Sequence, residues 1–131
     1  MNLTGRVAII TGGGKAIGGV ISRRFLNAGA DLILIARTLE PMVLIAEEGK
    51  KLGQKVIICQ EDTSHEDVAD WTVKHALMEF GRIDVLVNNT GIEWPNAPVT
   101  DISLGIGYEN VDLQVTRAWG IAVVDALGSN G

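Results

Sequence analysis

Four short, largely apolar runs separated by helix-length stretches constrain this chain more than any other feature. They are Arg6 to Ile10, Leu32 to Ala36, Val56 to Cys59 and Ile83 to Val87. Each is too short for a helix and none alternates apolar with polar. That is the pattern of strands buried on both faces, as in a parallel sheet. The first run ends in Thr11-Gly12-Gly13-Gly14, a tight glycine turn.

The intervening stretches have helical signals. Ile17, Val20, Ile21, Phe25 and Ala28 recur at helical spacing before Gly29, a stop signal. A second helix is expected between Pro41, suited to an early helical turn, and Gly53. Thr63 and Ser64 each have an acid three residues on, Glu66 and Asp67, the spacing of a capping box, so a third helix should run to about Phe80 and end at Gly81. After a loop from Asn88 to about Ser103, Val111, Val115, Ala118, Ala122 and Ala126 predict a last helix. The order β-α-β-α-β-α-β-α predicts an α/β fold. It is a doubly wound parallel sheet in strand order 3-2-1-4, with right-handed crossovers and helices on both faces.

Length and composition narrow the possibilities. A chain of 131 residues fits a single domain with one core. With 47% hydrophobic and 21% charged residues it is of globular rather than disordered composition. A net charge of −5 argues against a nucleic-acid partner or an acidic membrane surface. The lone Cys59 sits among Val56, Ile57 and Ile58 like a small hydrophobe and permits no disulfide within the chain, so a reducing, cytoplasmic setting is expected. No apolar run is long enough for a membrane span, and the N-terminus leads straight into a strand without a separate signal segment. His65, His75 and Cys59 lack metal-ligand spacing, so no metal site is expected, and no serine, histidine and acid fall in a hydrolase order. His75 shares an apolar stripe with Val68, Trp71 and Met78 and reads as a packed helix residue.

Ligands of such sheets bind beyond the carboxyl ends of the strands, where chain direction reverses between the first and fourth strands. After the first strand, Gly12-Gly13-Gly14-Lys15-Ala16-Ile17-Gly18 opens into a helix whose free N–H groups and dipole favour a phosphate. Lys15 at a helix start is misplaced electrostatically unless an anion neutralises it, although a solvated turn lysine also fits. After the second strand, where NAD-binding sites place an acid for the ribose hydroxyls, the chain has Arg37. A guanidinium with no acid beside it favours a 2′-phosphate, hence NADP(H), whereas Arg37 alone also fits a surface residue ending a strand. Asp62 follows the third strand, and Asn88-Asn89-Thr90-Gly91 the fourth, where asparagine can also simply close a turn.

Together these strand ends resemble the short-chain dehydrogenase/reductase family over nearly the whole chain. Thr11-Gly12-x-x-x-Ala16-x-Gly18 is similar to its T-G-x-x-x-G-x-G turn, Asp62 to its adenine-contacting aspartate, and Asn88-Asn89-Thr90-Gly91 to its N-N-A-G stretch. The resemblance implies a Rossmann-like domain of oxidoreductase descent. Gly12, Gly14, Lys15, Ile17 and Gly18 would line the pyrophosphate and adenosine side, Asp62 and Thr63 the adenine, and Asn88, Thr90 and Gly91 the adenosine ribose. Lys15 and Arg37 fall where NADP-preferring members carry basic residues.

Two departures matter. Ala16 replaces the second turn glycine, and its methyl group crowds the approach to the pyrophosphate. Members also carry a serine after a fifth strand and a Tyr-x-x-x-Lys pair on the next helix. Here the only tyrosine is Tyr108, Asp112 stands four residues on, and every lysine precedes Tyr108. No catalytic residue is therefore assigned. Asp112 resembles the asparagine that members place on the helix after strand four. Gly128-Ser129-Asn130-Gly131 resembles the turn into a fifth strand, so the chain reads as a partial domain cut at a natural joint. The fourth strand would then have a bare apolar edge, and self-association is expected there or through the last helix, whose Trp119 and Val123 extend its apolar side. The alternatives are a non-catalytic nucleotide-binding module and a structural remnant without activity.

Overall fold

The computed structural model describes residues 2–12, 16–61, 66–88, 100–101, 112–118 and 121–127. Its first half follows the sequence pattern closely. β1 (Val7–Thr11), β2 (Asp31–Ala36), β3 (Val56–Gln60) and β4 (Val85–Asn88) alternate with α1 (Ala16–Asn27), α2 (Leu39–Lys51) and α3 (Glu66–Phe80). β1 and the central residues of β2 are fully buried, as unbroken Val/Ile/Leu runs require.

Glycine ends the first helix as expected. Gly29 adopts φ 99°, its N–H donates to Leu26 C=O at 3.0 Å, and the Ala30 N–H reaches back to Phe25 C=O at 3.1 Å. This pair of bonds satisfies carbonyls that the helix end would otherwise orphan. A Cβ at Gly29 would stand 2.7 Å from Thr4 Oγ1, so the N-terminal segment closes over this turn only because the side chain is missing.

β1, β2, β3 and β4 are parallel neighbours in the order β3-β2-β1-β4. Helices cover both faces of this sheet. Ile21, Phe25 and Leu26 of α1 with Met42 and Ile45 of α2 pack on Ala8, Ile10, Leu32, Leu34, Val85 and Val87. On the other face Val68 and Ala76 of α3 meet Ile9, Ile33, Ile35, Cys59 and Leu86. At roughly 25 cal/mol per Å² of apolar surface removed from water, these two layers are the main source of stability. The line of α3 that faces the sheet is Val68, Thr72 and Ala76, all buried. The stripe read from the sequence is therefore displaced by one residue. Trp71 is 45% and Met78 84% exposed, and His75 is half-buried with its ring stacked on Trp71 at 5.0 Å.

The last quarter differs from expectation. In place of a helix through Val115, Ala118, Ala122 and Ala126 there are β5 (Thr100–Asp101), β6 (Asp112–Ala118) and β7 (Ile121–Leu127), while Val111 and Trp119 of that expected helix lie outside the described residues. β6 and β7 pair antiparallel from Asp112↔Leu127 to Ala118↔Ile121, and β5 pairs antiparallel with β6. β7 runs parallel to β4, with Val85↔Ala122 through Asn88↔Asp125 in register. The parallel part of the sheet thus continues to a fifth strand, and the full order among the described residues is β3-β2-β1-β4-β7-β6-β5.

The physical reason lies in β4. Its interior-type sequence needs a neighbour on each side, and Ile121, Val123 and Val124 supply a β-branched run that fits a buried strand better than a helix. Ala122 and Val124 are buried there. The edge of β4 expected to be bare is occupied, and the last helix is a hairpin. Neither route expected for self-association exists among the described residues.

Candidate functional site

The ladder registers bring the carboxyl ends of the parallel strands level with one another. Thr11 pairs with Ile35, Ile35 with Cys59 and Ala36 with Gln60, while Ile10 pairs with Val87 and Asn88 with Asp125. Thr11, Arg37, Gln60, Glu61 and Asn88 consequently share one edge of the sheet.

Gly12 follows β1 with φ 65°, a left-handed conformation that costs a residue with a side chain about 1–2 kcal/mol. Its N–H donates to Ile35 C=O at 2.6 Å, which ties the turn to β2. Buried Thr11 donates its hydroxyl to Val87 C=O at 3.3 Å and ties β1 to β4. α1 then starts at Ala16, with Ile17 in its first turn and no acid there to oppose its positive end. Gly18 and Gly19 are buried. The Gly18 carbonyl accepts the buried Ser22 hydroxyl at 2.7 Å. A left-handed glycine, a helix start without acids and small residues just inside the helix fit a pyrophosphate, because backbone N–H groups and the dipole favour an anion there.

Arg37 is exposed, one residue beyond the end of β2. Its carbonyl accepts from Gln60 Nε2 at 3.1 Å, and the Glu61 N–H donates to Ala36 C=O at 3.1 Å. Asn88 ends β4 half-buried. Cys59, at the same edge, is inert. Burial, reinforced by the nearby Glu61 carboxylate, pushes its thiol up to about 11, so the nucleophilic thiolate is scarce at neutral pH.

The opposite end of the sheet is fastened by Asp84. Its carboxylate accepts the Val7 N–H at 2.9 Å, Arg6 Nη1 at 3.2 Å, and Arg82 through Nε and Nη2, both at 2.8 Å. Partial burial raises its pKa, but the bonds from Arg82, Val7 and Arg6 outweigh that and hold the carboxyl below its ordinary value. The Asp84 carbonyl also accepts the Ala122 N–H at 3.0 Å, so one residue joins β1, β4 and β7. This clasp fixes the strands whose far ends form the candidate site.

Of the residues singled out in the sequence, Gly12 and Arg37 follow the ends of β1 and β2 and Ile17 and Gly18 begin α1 as expected, while Asn88 is the last residue of β4 rather than the first beyond it. Gly14, Lys15, Asp62, Thr63, Thr90 and Gly91 lie outside the described residues. Asp112 begins β6 rather than standing on a helix. Gln60 was not singled out. Its only signal is its position one residue past Cys59, where the third strand ends.

The family model for short chain dehydrogenase matches residues 6–116. The chain belongs to the short-chain dehydrogenase family. Among curated relatives, 3beta-hydroxysteroid dehydrogenase 2 of Eggerthella lenta is 34% identical over 100 residues, which cover 76% of this chain and 38% of that protein. Among solved structures, a 7 alpha-hydroxysteroid dehydrogenase complexed with NADH and 7-oxo glycochenodeoxycholic acid is similar at 32% identity with a TM-score of 0.63. The match covers 67% of this chain and 34% of that one. A metagenomic short-chain oxidoreductase in complex with NADP is similar at 35% identity and a TM-score of 0.63, over 73% of this chain and 43% of that one. The chain spans little more than a third of the first curated relatives, 36% and 38% of their lengths. Among its described residues, no three or more His, Cys, Asp or Glu side chains gather as a metal site, and no helix is long and apolar enough to cross a membrane.

Proposed function

We propose that this chain binds NADP(H) across the carboxyl edge of its sheet, and that the residues in hand do not complete hydride transfer. Arg37 carries the reading. It is an exposed guanidinium directly after β2, beside the glycine turn that Gly12 ties to Ile35. An acid in that place would accept from ribose hydroxyls, whereas a guanidinium meets a 2′-phosphate with paired, charge-assisted hydrogen bonds.

When bound, the coenzyme supplies a nicotinamide that gives or takes a hydride. The chain's own part is to hold it. Gly12 lets the backbone come close to the pyrophosphate, and the start of α1 stabilises its charge. Gly14, Lys15, Ile17 and Gly18 extend that contact by the family resemblance, with Asp62 and Thr63 at the adenine and Asn88, Thr90 and Gly91 at the ribose. Catalysis lacks its partners in this sequence, because Tyr108 is followed four residues later by Asp112 and no lysine comes after it. The reading is thus a coenzyme-binding relative of oxidoreductases that does not turn over substrate by itself.

A preference for NADH has one observation in its favour, namely the similar 7 alpha-hydroxysteroid dehydrogenase solved with NADH. Calorimetric titration with both coenzymes separates the two readings. NADPH should bind more tightly than NADH, and Arg37→Ala should remove most of that difference, about tenfold or more for a charged hydrogen-bonding contact. Equal affinity of the native chain for both forms refutes the NADP(H) reading. Steady oxidation of NADPH with a small carbonyl compound refutes the claim of no turnover.

A further inference from the structure

Gln60 ends β3, and its backbone pairs with Ala36. The ladder between β2 and β3 closes where the Glu61 N–H donates to Ala36 C=O at 3.1 Å. Arg37 lies beyond that rung. Its carbonyl accepts a side chain, the amide of Gln60, with Nε2 at 3.1 Å. The next residue, Thr38, stands at the N-cap of α2 with φ −102° and ψ 118°, yet its side chain makes no capping bond. The turn between β2 and α2 therefore lacks the anchor that a threonine cap ordinarily gives. Among the described residues, the Gln60 amide holds this turn from the other side, by extending the ladder one residue onto the Arg37 carbonyl.

We propose that Gln60 is a positioning residue for coenzyme selection. By fixing the backbone of Arg37 it directs the guanidinium to the extra phosphate of NADP(H). The inference rests on the NADP(H) reading above and deepens it. A long arginine side chain that must find an anion from a loose turn loses more conformational freedom on binding than one whose backbone is already held. Gln60 is exposed, so its bond has the modest worth of an ordinary neutral hydrogen bond, which bounds the effect at about two- to tenfold.

The test is a double-mutant cycle on the whole chain, in which dissociation constants for NADPH and NADH are measured by calorimetry for the native protein, Gln60→Met, Arg37→Ala and the double variant. The readout is the ratio of NADH to NADPH constants, which a general loosening of the fold leaves unmoved. Gln60→Met, similar in length but without the donor, should lower the ratio about two- to tenfold. In the Arg37→Ala background it should lower it no further. Gln60→Ala serves in its place if Gln60→Met does not fold. If Arg37→Ala lowers the ratio while the Gln60 variants do not, or weaken both coenzymes alike, Gln60 has no positioning role and the NADP(H) reading stands. If the Gln60 effect persists without Arg37, the proposed route is wrong. If Arg37→Ala leaves the ratio unchanged, or neither coenzyme binds, the NADP(H) reading fails and this inference fails with it.

Discussion

Removing the Asp84 carboxylate should loosen the sheet from the end opposite the candidate site. In Asp84→Ala the N–H of buried Val7 loses its acceptor, and a buried donor left unsatisfied costs about 1–3 kcal/mol. Arg6 and Arg82 have side chains 54% and 48% exposed, so they regain water, and their pairing with Asp84 adds little to that loss. The expected loss is about 1–3 kcal/mol, a large part of a typical domain's stability. Asp84→Asn keeps a neutral acceptor and should lose about half as much. Because the folded carboxyl titrates below its ordinary value, its contribution is complete above the unfolded pKa of about 3.9 and disappears as pH falls through the lower folded value. Urea unfolding of the native chain and Asp84→Asn should thus show a constant gap from pH 7 to about 5 that closes below about 4. A gap that is absent at pH 7, or that widens in acid, would refute the account of the clasp.

Three further outcomes follow from particular residues. Gly12→Ala should lower stability by about 1–2 kcal/mol in urea unfolding because φ 65° suits only glycine, and an unchanged midpoint contradicts that conformation. The Cys59 thiol, 4% exposed and with its pKa near 11, should resist maleimide in the folded chain at pH 7.5 and react on unfolding; rapid labelling of folded protein contradicts its burial. The Ala122 amide, bonded to the Asp84 carbonyl at 3.0 Å, should be protected from hydrogen exchange, with extended-backbone chemical shifts over residues 121–127. Helical shifts there would reinstate the last helix.

The first four strands and three helices were legible because every level of signal agreed. Apolar runs such as Leu32 to Ala36 have no helical competitor, and Gly29 and Gly53 stand where helix ends need positive φ. The last segment carried two signals at once. Val111, Val115, Ala118, Ala122 and Ala126 match a helix, while Leu113 and Val115 alternate with Asp112, Gln114 and Thr116, and Ile121-Ala122-Val123-Val124 reads as a buried strand. The tie was decided outside the segment, by the need of β4 for a second neighbour, which no local period contains. The α3 stripe failed for a related reason. Residues 68, 71, 75 and 78 share a helical face, and only packing shows that the sheet takes the line of Val68, Thr72 and Ala76. At the site, residue type and order marked Gly12, Arg37 and Asn88. The Gln60 contact with the Arg37 backbone depends on strand register and could not be read from either residue alone.

Thermal unfolding of the native chain in excess NADPH, beside the same excess of NADH, addresses coenzyme binding and its selectivity together. A ligand held only by the folded state at a hundred times its dissociation constant stabilises by about 2.7 kcal/mol. The midpoint should therefore rise by several degrees with NADPH and by clearly less with NADH. A midpoint that NADPH leaves in place, or that both coenzymes raise equally, contradicts a site built around Arg37.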